Sequence, residues 1–159
     1  MGFTNQRGLK VLAAALFVTL LASTTHGLVM VNDIINADAA RTTFPTVDGV
    51  NDFSGAVQRI AVVDTGVQYN HPSLSGVVVG GVNYGASAPW AGTLPGHYTD
   101  GHGHGTFIGG VIASQDTARP GVAPNVEIIS VRVAASNGQA SFSDIAYGLE
   151  WVVANASAL

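Results

Sequence analysis

The stretch Ile60-Ala-Val-Val-Asp-Thr-Gly-Val67 decides the fold of this 159-residue chain. Its first four residues, 60–63, are all apolar, which is typical of a short strand buried on both faces of a parallel sheet. The strand ends in a carboxylate, Asp64, at a glycine turn. Open α/β sheets place their functional groups where parallel strands end, so we expect Asp64 at the functional edge of the sheet.

Strands and helices alternate along the rest of the chain. Valine-rich residues 76–84 and residues 126–133 predict two more strands, while residues 105–114 and 141–155 predict helices. Strands that alternate with helices indicate an α/β fold of three layers, with a mostly parallel sheet between flanking helices. We expect the strands at 60–63 and 126–133 to be parallel neighbours, with the 105–114 helix beside them.

The second predicted helix has a clear start. Ser141 and Asp144 have the spacing of a capping box, in which the serine side chain caps the first turn. Four apolar residues recur at helical spacing and share one face of the helix, whose cover we expect to be incomplete in this chain. They are Ile145, Leu149, Val152 and Val153.

The N-terminus resembles an export signal. Two basic residues, Arg7 and Lys10, precede the apolar run 11–22, and small polar residues follow it. We assign residues 1–27 to a signal peptide and residues 28–54 to an N-terminal arm, with an irregular lead-in as far as residue 58. The protein is therefore expected to be secreted or otherwise exported, and an apolar run of this length is short for a membrane span.

Composition excludes several partners. The chain has six basic and ten acidic residues, and residues 28–159 keep four of the six bases and all ten acids, for a net charge of 4 − 10 = −6. An acidic protein is poorly suited to bind nucleic acid or an anionic membrane, so we expect neither as a partner. The chain contains no cysteine, so no disulfide stabilises it.

A second motif, Asp100-Gly-His-Gly-His-Gly-Thr106, presents two imidazoles at the start of the 105–114 helix. Taken singly, these features have ordinary explanations: Asp64 could cap a turn, and His104 could be an exposed loop histidine. Their order along the chain is more informative. Four patterns occur in sequence, namely Asp64-Thr-Gly66, His71-Pro72, Asp100-x-x-Gly-His-Gly-Thr106 and Gly121-Val-Ala-Pro124.

This ordered set resembles the subtilisin-like serine proteases, or subtilases. The resemblance covers residues 55–159 and corresponds to the N-terminal part of the catalytic domain, so that the fold would be incomplete in this chain. It implies a serine-type endopeptidase acting on peptides or proteins, with Asp64 and His104 as the catalytic Asp and His. In that chemistry a carboxylate orients an imidazole, which takes the proton of a serine hydroxyl.

The resemblance also implies a substrate-binding edge. Gly138, Gln139 and Ala140 match the extended segment that pairs with a bound peptide, and Phe142 matches an aromatic residue that closes a hydrophobic subsite. The alternative interpretation of Ser136-Asn-Gly138 is a simple turn.

Two departures from the family pattern stand out. Ser73 occupies the place of a calcium-binding Asp in many members, and the loop 114–120 is short where those members complete the site, so we predict no calcium at this position. We expect no metal and no cofactor for this chain, and calcium stays an open alternative for the full-length protein. No segment has the setting of the nucleophilic serine, and we expect the chain alone to be inactive. Six serines are set aside as ordinary turn, strand or helix residues: Ser114, Ser130, Ser136, Ser141, Ser143 and Ser157.

Three other functions remain open. Asp64-Thr-Gly66 is also typical of aspartic proteases, which would require an all-β fold with paired carboxylates. A metal hydrolase could use His97, Asp100, His102 and His104 as ligands. A non-catalytic exported relative of the subtilases is the third.

Overall fold

The computed structural model describes residues 32–44, 57–85 and 93–157, so the predicted signal peptide lies outside the described residues. The main elements, in chain order, are α1 (Ala37–Thr43), β1 (Arg59–Asp64), β2 (Val78–Asn83), α2 (His104–Ala113), β3 (Glu127–Arg132) and α3 (Phe142–Asn155). Among the helices of the described ranges, none combines the length and apolar character that crossing a bilayer requires.

The three strands form one parallel sheet in the order β1–β3–β2. The predicted neighbours are confirmed, because β1 pairs with β3 along its whole length. At the carboxyl end of the sheet, Arg132 in the central strand lies between Asp64 of β1 and Asn83 of β2. All three strands therefore end at the same edge, where parallel α/β sheets place their sites.

A separate hydrophobic core lies on each face of the sheet. Val62 and Ile128 belong to the core that α2 covers, and Val131 and Val133 belong to the core that α3 covers. The alternation follows from the two-residue period of a strand. A register shift between Val78 and Gly80 breaks this alternation in β2. With one helix on each face, the predicted α/β class is confirmed.

The apolar face of α3 is only partly packed on the sheet. Leu149 is 51% exposed and Val153 is 78% exposed, whereas Gly148 is buried against β3. A Cβ at position 148 would lie 2.6 Å from Val133 Cγ1, so glycine lets the helix approach the sheet closely. Trp151 and Val152 complete the contact with the core. The apolar spacing correctly indicated a helix, but the buried face centres on a glycine, which hydrophobicity does not mark.

The N-terminal lead-in is not wholly irregular, and that prediction was wrong for residues 37–43, which form α1. Arg41 in α1 donates hydrogen bonds to the carbonyl oxygens of Gly121 and Val122, and Asn32 donates one to Pro120. The helix is thus held to the loop after α2 by polar contacts, which apolar periodicity does not reveal. Residues 28–31 and 45–56, which complete the predicted arm and begin the predicted domain, lie outside the described residues.

Candidate active site

Asp64 and His104, forty residues apart in sequence, are hydrogen-bonded at the carboxyl end of β1. The His104 Nδ1 atom lies 2.8 Å from Asp64 Oδ1 and 2.9 Å from Asp64 Oδ2. The imidazole is 57% exposed, while the carboxylate is only 17% exposed. A carboxylate at Nδ1 favours the tautomer with its proton on Nδ1, which leaves Nε2 as a proton acceptor.

The close approach of α2 to β1 makes this contact possible. At Gly105, an added Cβ would lie 2.1 Å from the Gly66 carbonyl oxygen and 3.2 Å from Asp64 Cβ. No side chain fits at 105 without moving the helix start away from the strand end. The glycine after His104 therefore fixes the distance between the imidazole and the carboxylate.

Asp100 organises the loop that carries the histidine. Its Oδ1 accepts hydrogen bonds from the backbone N–H groups of His102 and Gly103, both at 2.8 Å. Its Oδ2 accepts from Thr106 N at 2.8 Å and from Thr106 Oγ1 at 2.6 Å. One carboxylate thus satisfies several N–H groups at the start of α2 that have no partner within the helix.

The same carboxylate is linked to β1 through Thr65. Thr65 Oγ1 donates to Asp100 Oδ1 at 2.9 Å and accepts from Gly105 N at 2.9 Å. Burial raises the pKa of Asp100, but hydrogen bonds from the Thr106 side chain and from the N–H groups of Gly103, His102 and Thr106 outweigh it and hold the pKa at about 2. Asp100 is therefore ionised throughout the neutral range and ties the strand end to the helix start.

Sequence reasoning gave Thr65, Asp100 and Thr106 no separate positioning role. A signal was available, because an aspartate followed by glycines just before a helix is typical of a side chain that bonds nearby backbone N–H groups. The partner on β1, Thr65, could be found only in the tertiary structure.

A cleft of about 470 Å³ contains the pair and part of the predicted substrate edge. Gly138 and Ala140 line it together with Asp64, His102 and His104. The structure does not bring Gln139 or Phe142 to this cleft. Gln139 lines a neighbouring depression, and the Phe142 side chain is 88% exposed at the start of α3.

The segment before α3 does contain a turn, as the alternative interpretation held. Gly138 N donates to the Ala135 carbonyl oxygen at 2.9 Å, and Ala135 N donates to the Gln139 carbonyl oxygen at 2.8 Å. Ala134 and Ala140 form an isolated antiparallel bridge that closes the turn. A turn and a substrate-binding edge are compatible here, because Gly138 and Ala140 still line the cleft.

Two of the alternative functions conflict with these observations. The parallel sheet between helices is not the all-β fold that an aspartic protease requires. Within the described ranges, no three His, Cys, Asp or Glu side chains are grouped so that they could hold a metal ion. The Asp100 carboxylate, one of the four ligands considered, is already engaged by Thr65, Thr106 and two backbone N–H groups.

These features define an α/β protein with a carboxylate–imidazole pair, of the kind used for general-base catalysis, at the carboxyl edge of its sheet. The model of the subtilase family matches residues 55–158. The chain belongs to the subtilase family, a family of serine-type peptidases.

Individual relatives agree with this assignment. Subtilisin DY of Bacillus licheniformis is 35% identical over 105 residues, which are 65% of this chain and 35% of the relative. Alkaline elastase YaB of Bacillus sp. (strain YaB) is 37% identical over 134 residues, 76% of this chain and 33% of the relative. Thermitase of Thermoactinomyces vulgaris is 37% identical over 102 residues, which are 61% of this chain and 33% of the relative. The chain spans about a third of the length of these relatives.

Proposed function

We propose that this chain supplies the general base of a serine-type endopeptidase, with His104 as the base and Asp64 as its orienting carboxylate. The observation that carries the proposal is the contact of His104 Nδ1 with both oxygens of Asp64, at 2.8 and 2.9 Å. Family membership supports the same reaction class, with a peptide or protein as substrate.

The geometry suits proton transfer at the exposed side of the imidazole. With Nδ1–H donated to Asp64, the neutral Nε2 can accept the proton of a serine hydroxyl as that oxygen attacks the peptide carbonyl. The imidazolium that forms is stabilised by the shielded carboxylate, and it later returns the proton to the leaving amine. Gly138 and Ala140, in the same cleft, would pair with the peptide backbone.

We expect the nucleophile of this reaction to lie outside the described residues. No serine hydroxyl in the described ranges is hydrogen-bonded to His104, and several of the serines set aside in the sequence have other partners. Ser130 Oγ donates to the Tyr98 carbonyl oxygen at 3.0 Å, Ser136 Oγ accepts from Arg132, and Ser141 Oγ caps α3. In this proposal the described residues contribute the base and part of the substrate cleft, and we expect no peptide cleavage from the chain alone. The N-terminal sequence supports export.

The tautomer of His104 gives a direct test on the chain itself. In uniformly ¹⁵N-labelled protein, long-range ¹H–¹⁵N correlation should show the proton of neutral His104 on Nδ1. Asp64→Asn should move that proton to Nε2, because the amide can donate to Nδ1. Asp116→Asn, which changes a carboxylate on another loop, is the matched control and should leave His104 unchanged. A wild-type proton on Nε2 would exclude the proposed role of Asp64.

A second test addresses the nucleophile. The chain is treated with a fluorophosphonate probe and separately with a peptide substrate, and we expect neither labelling nor cleavage. Stoichiometric labelling of one serine, with cleavage lost in His104→Ala, would show that one of the six serines assigned above to turns, strands or helices is the nucleophile.

A further inference from the structure

A groove of about 700 Å³ runs beside α2, apart from the cleft that holds Asp64 and His104. It is lined by the turn at His71 and Ser73 and by the loop that follows α2, including Ser114, Asp116 and Arg119. In many subtilases the corresponding loop and turn complete a calcium site. Whether a divalent cation fits here depends on the oxygen atoms that these residues offer.

The groove offers a single carboxylate, and that carboxylate is already engaged. Asp116 Oδ1 accepts a hydrogen bond from Ala118 N at 2.9 Å, and Oδ2 accepts from Arg119 Nε at 3.1 Å. Arg119 Nη2 lies 3.1 Å from the same oxygen. Calcium takes about six to eight oxygen ligands, several of them usually from carboxylates, so one neutralised aspartate is a poor start for a site.

Several backbone oxygens of the turn and of the loop are also engaged. The Ser73 carbonyl oxygen accepts from Gln115 N at 2.8 Å, and the Ser114 carbonyl oxygen accepts from Gly121 N at 3.0 Å. Arg41 Nη1, from α1, donates to the carbonyl oxygens of Gly121 at 3.4 Å and of Val122 at 2.7 Å. The loop is thus closed by donors that belong to the protein.

Two of these donors are permanent cations. The Arg41 side chain is 15% exposed and also contacts Asp38, and the Arg119 side chain is 59% exposed and contacts Asp116. Each guanidinium has one carboxylate partner, so the local charges balance within the described residues. A divalent cation in the groove would therefore meet the guanidinium group of Arg119 and no unpaired carboxylate of this set, while Arg41 already holds the end of the loop.

We propose that the guanidinium groups of Arg41 and Arg119 close the 114–122 loop in place of a divalent cation, so that the stability of this chain does not depend on calcium. Arg41 is the principal group, because it is shielded and binds two loop carbonyls. Arg119 neutralises the one carboxylate that a cation could use. This proposal concerns the stability of the fold and is independent of the catalytic role of His104.

Thermal unfolding of the full chain tests the first half of the proposal. Melting is followed by circular dichroism in excess EDTA, in excess calcium and, as a control for ionic effects, in excess magnesium. We expect the same Tm in all three, to within about 1 °C. Calcium at about a hundred times its dissociation constant would raise the Tm of a domain of this size by about 10 °C, and such a rise with calcium but not magnesium would overturn the proposal.

Substitution of Arg41 tests the second half. Arg41→Gln removes the charged donor from two shielded carbonyls and should lower Tm by about 5 °C or more. The matched control is Arg59→Gln, which removes a more exposed guanidinium paired with Glu127 at 2.6 Å and should cost about 3 °C or less. Arg41→Lys keeps the charge and should recover part of the loss. A Tm for Arg41→Gln within about 1 °C of wild type would refute the role of Arg41, and the calcium measurement stands on wild-type protein if Arg41→Gln does not fold.

Discussion

Replacement of Asp100 by asparagine should weaken the fold at neutral pH and have much less effect in acid. Asp100 Oδ2 accepts from both Thr106 N and Thr106 Oγ1, and Oδ1 accepts from two backbone N–H groups and Thr65. An amide at this position loses the negative charge, and its NH₂ group cannot accept from Thr106. The hydrogen bonds to Thr106 at the start of α2 are then lost, and with them part of the link to the end of β1.

The magnitude follows from the pKa of Asp100, which is about 2 in the folded protein against 3.8 for a free aspartate. That difference corresponds to about 2.4 kcal/mol of favourable interaction with the ionised form. Because the side chain is only partly shielded from water, the expected loss of stability is about 1–2 kcal/mol. Since the folded pKa lies below the unfolded one, the stabilisation is complete above about pH 4 and is lost as the pH falls towards about 2.

The assay is urea unfolding of wild type and Asp100→Asn from neutral pH down to about pH 2. We expect a difference in the free energy of unfolding of about 1–2 kcal/mol at neutral pH that shrinks steadily below about pH 4. Asp33→Asn, at an exposed carboxylate in the N-terminal segment, is the control and should change stability by less than about 0.5 kcal/mol. A difference for Asp100→Asn that is below about 0.5 kcal/mol at neutral pH, or that persists unchanged in acid, would refute this account of the loop.

Three further changes test the packing around the site. Gly105→Ala should separate His104 from Asp64, because the added Cβ would lie 2.1 Å from the Gly66 carbonyl oxygen. The proton of neutral His104 should then no longer be held on Nδ1 in the ¹H–¹⁵N correlation spectrum. An unchanged spectrum would show that Gly105 does not set the distance between the two side chains. Ser141→Ala removes the side chain that accepts from Asp144 N at 3.1 Å and should cost about 1 kcal/mol by urea unfolding, whereas a neutral result would deny the cap. Val153→Ser, at a side chain that is 78% exposed on α3, should change the free energy of unfolding by less than about 0.5 kcal/mol. A loss as large as that of a core substitution would show that Val153 is buried after all.

Local patterns in the sequence predicted much of this fold. The apolar run 60–63, the strand at 126–133 and the helix beginning after Ser141 each carry their own signal, because strand burial and helix capping depend on neighbouring residues. The same locality explains what these patterns missed. The position of α1 depends on polar contacts with a loop about eighty residues away, and the packed face of α3 depends on Gly148 facing Val133.

The sequence by itself determined which chemistry-bearing residues the chain offers: an aspartate at a strand end and a histidine between glycines at a helix start, in the order typical of a subtilase. Only the tertiary structure decided that they meet, because the 2.8 Å contact depends on the close approach at Gly105 and on the Thr65–Asp100–Thr106 bonds between two separate elements. It also decided that Gly138 and Ala140, but not Gln139 and Phe142, line the cleft with them. Such contacts join residues far apart in the chain, so no local pattern of hydrophobicity or propensity encodes their distances.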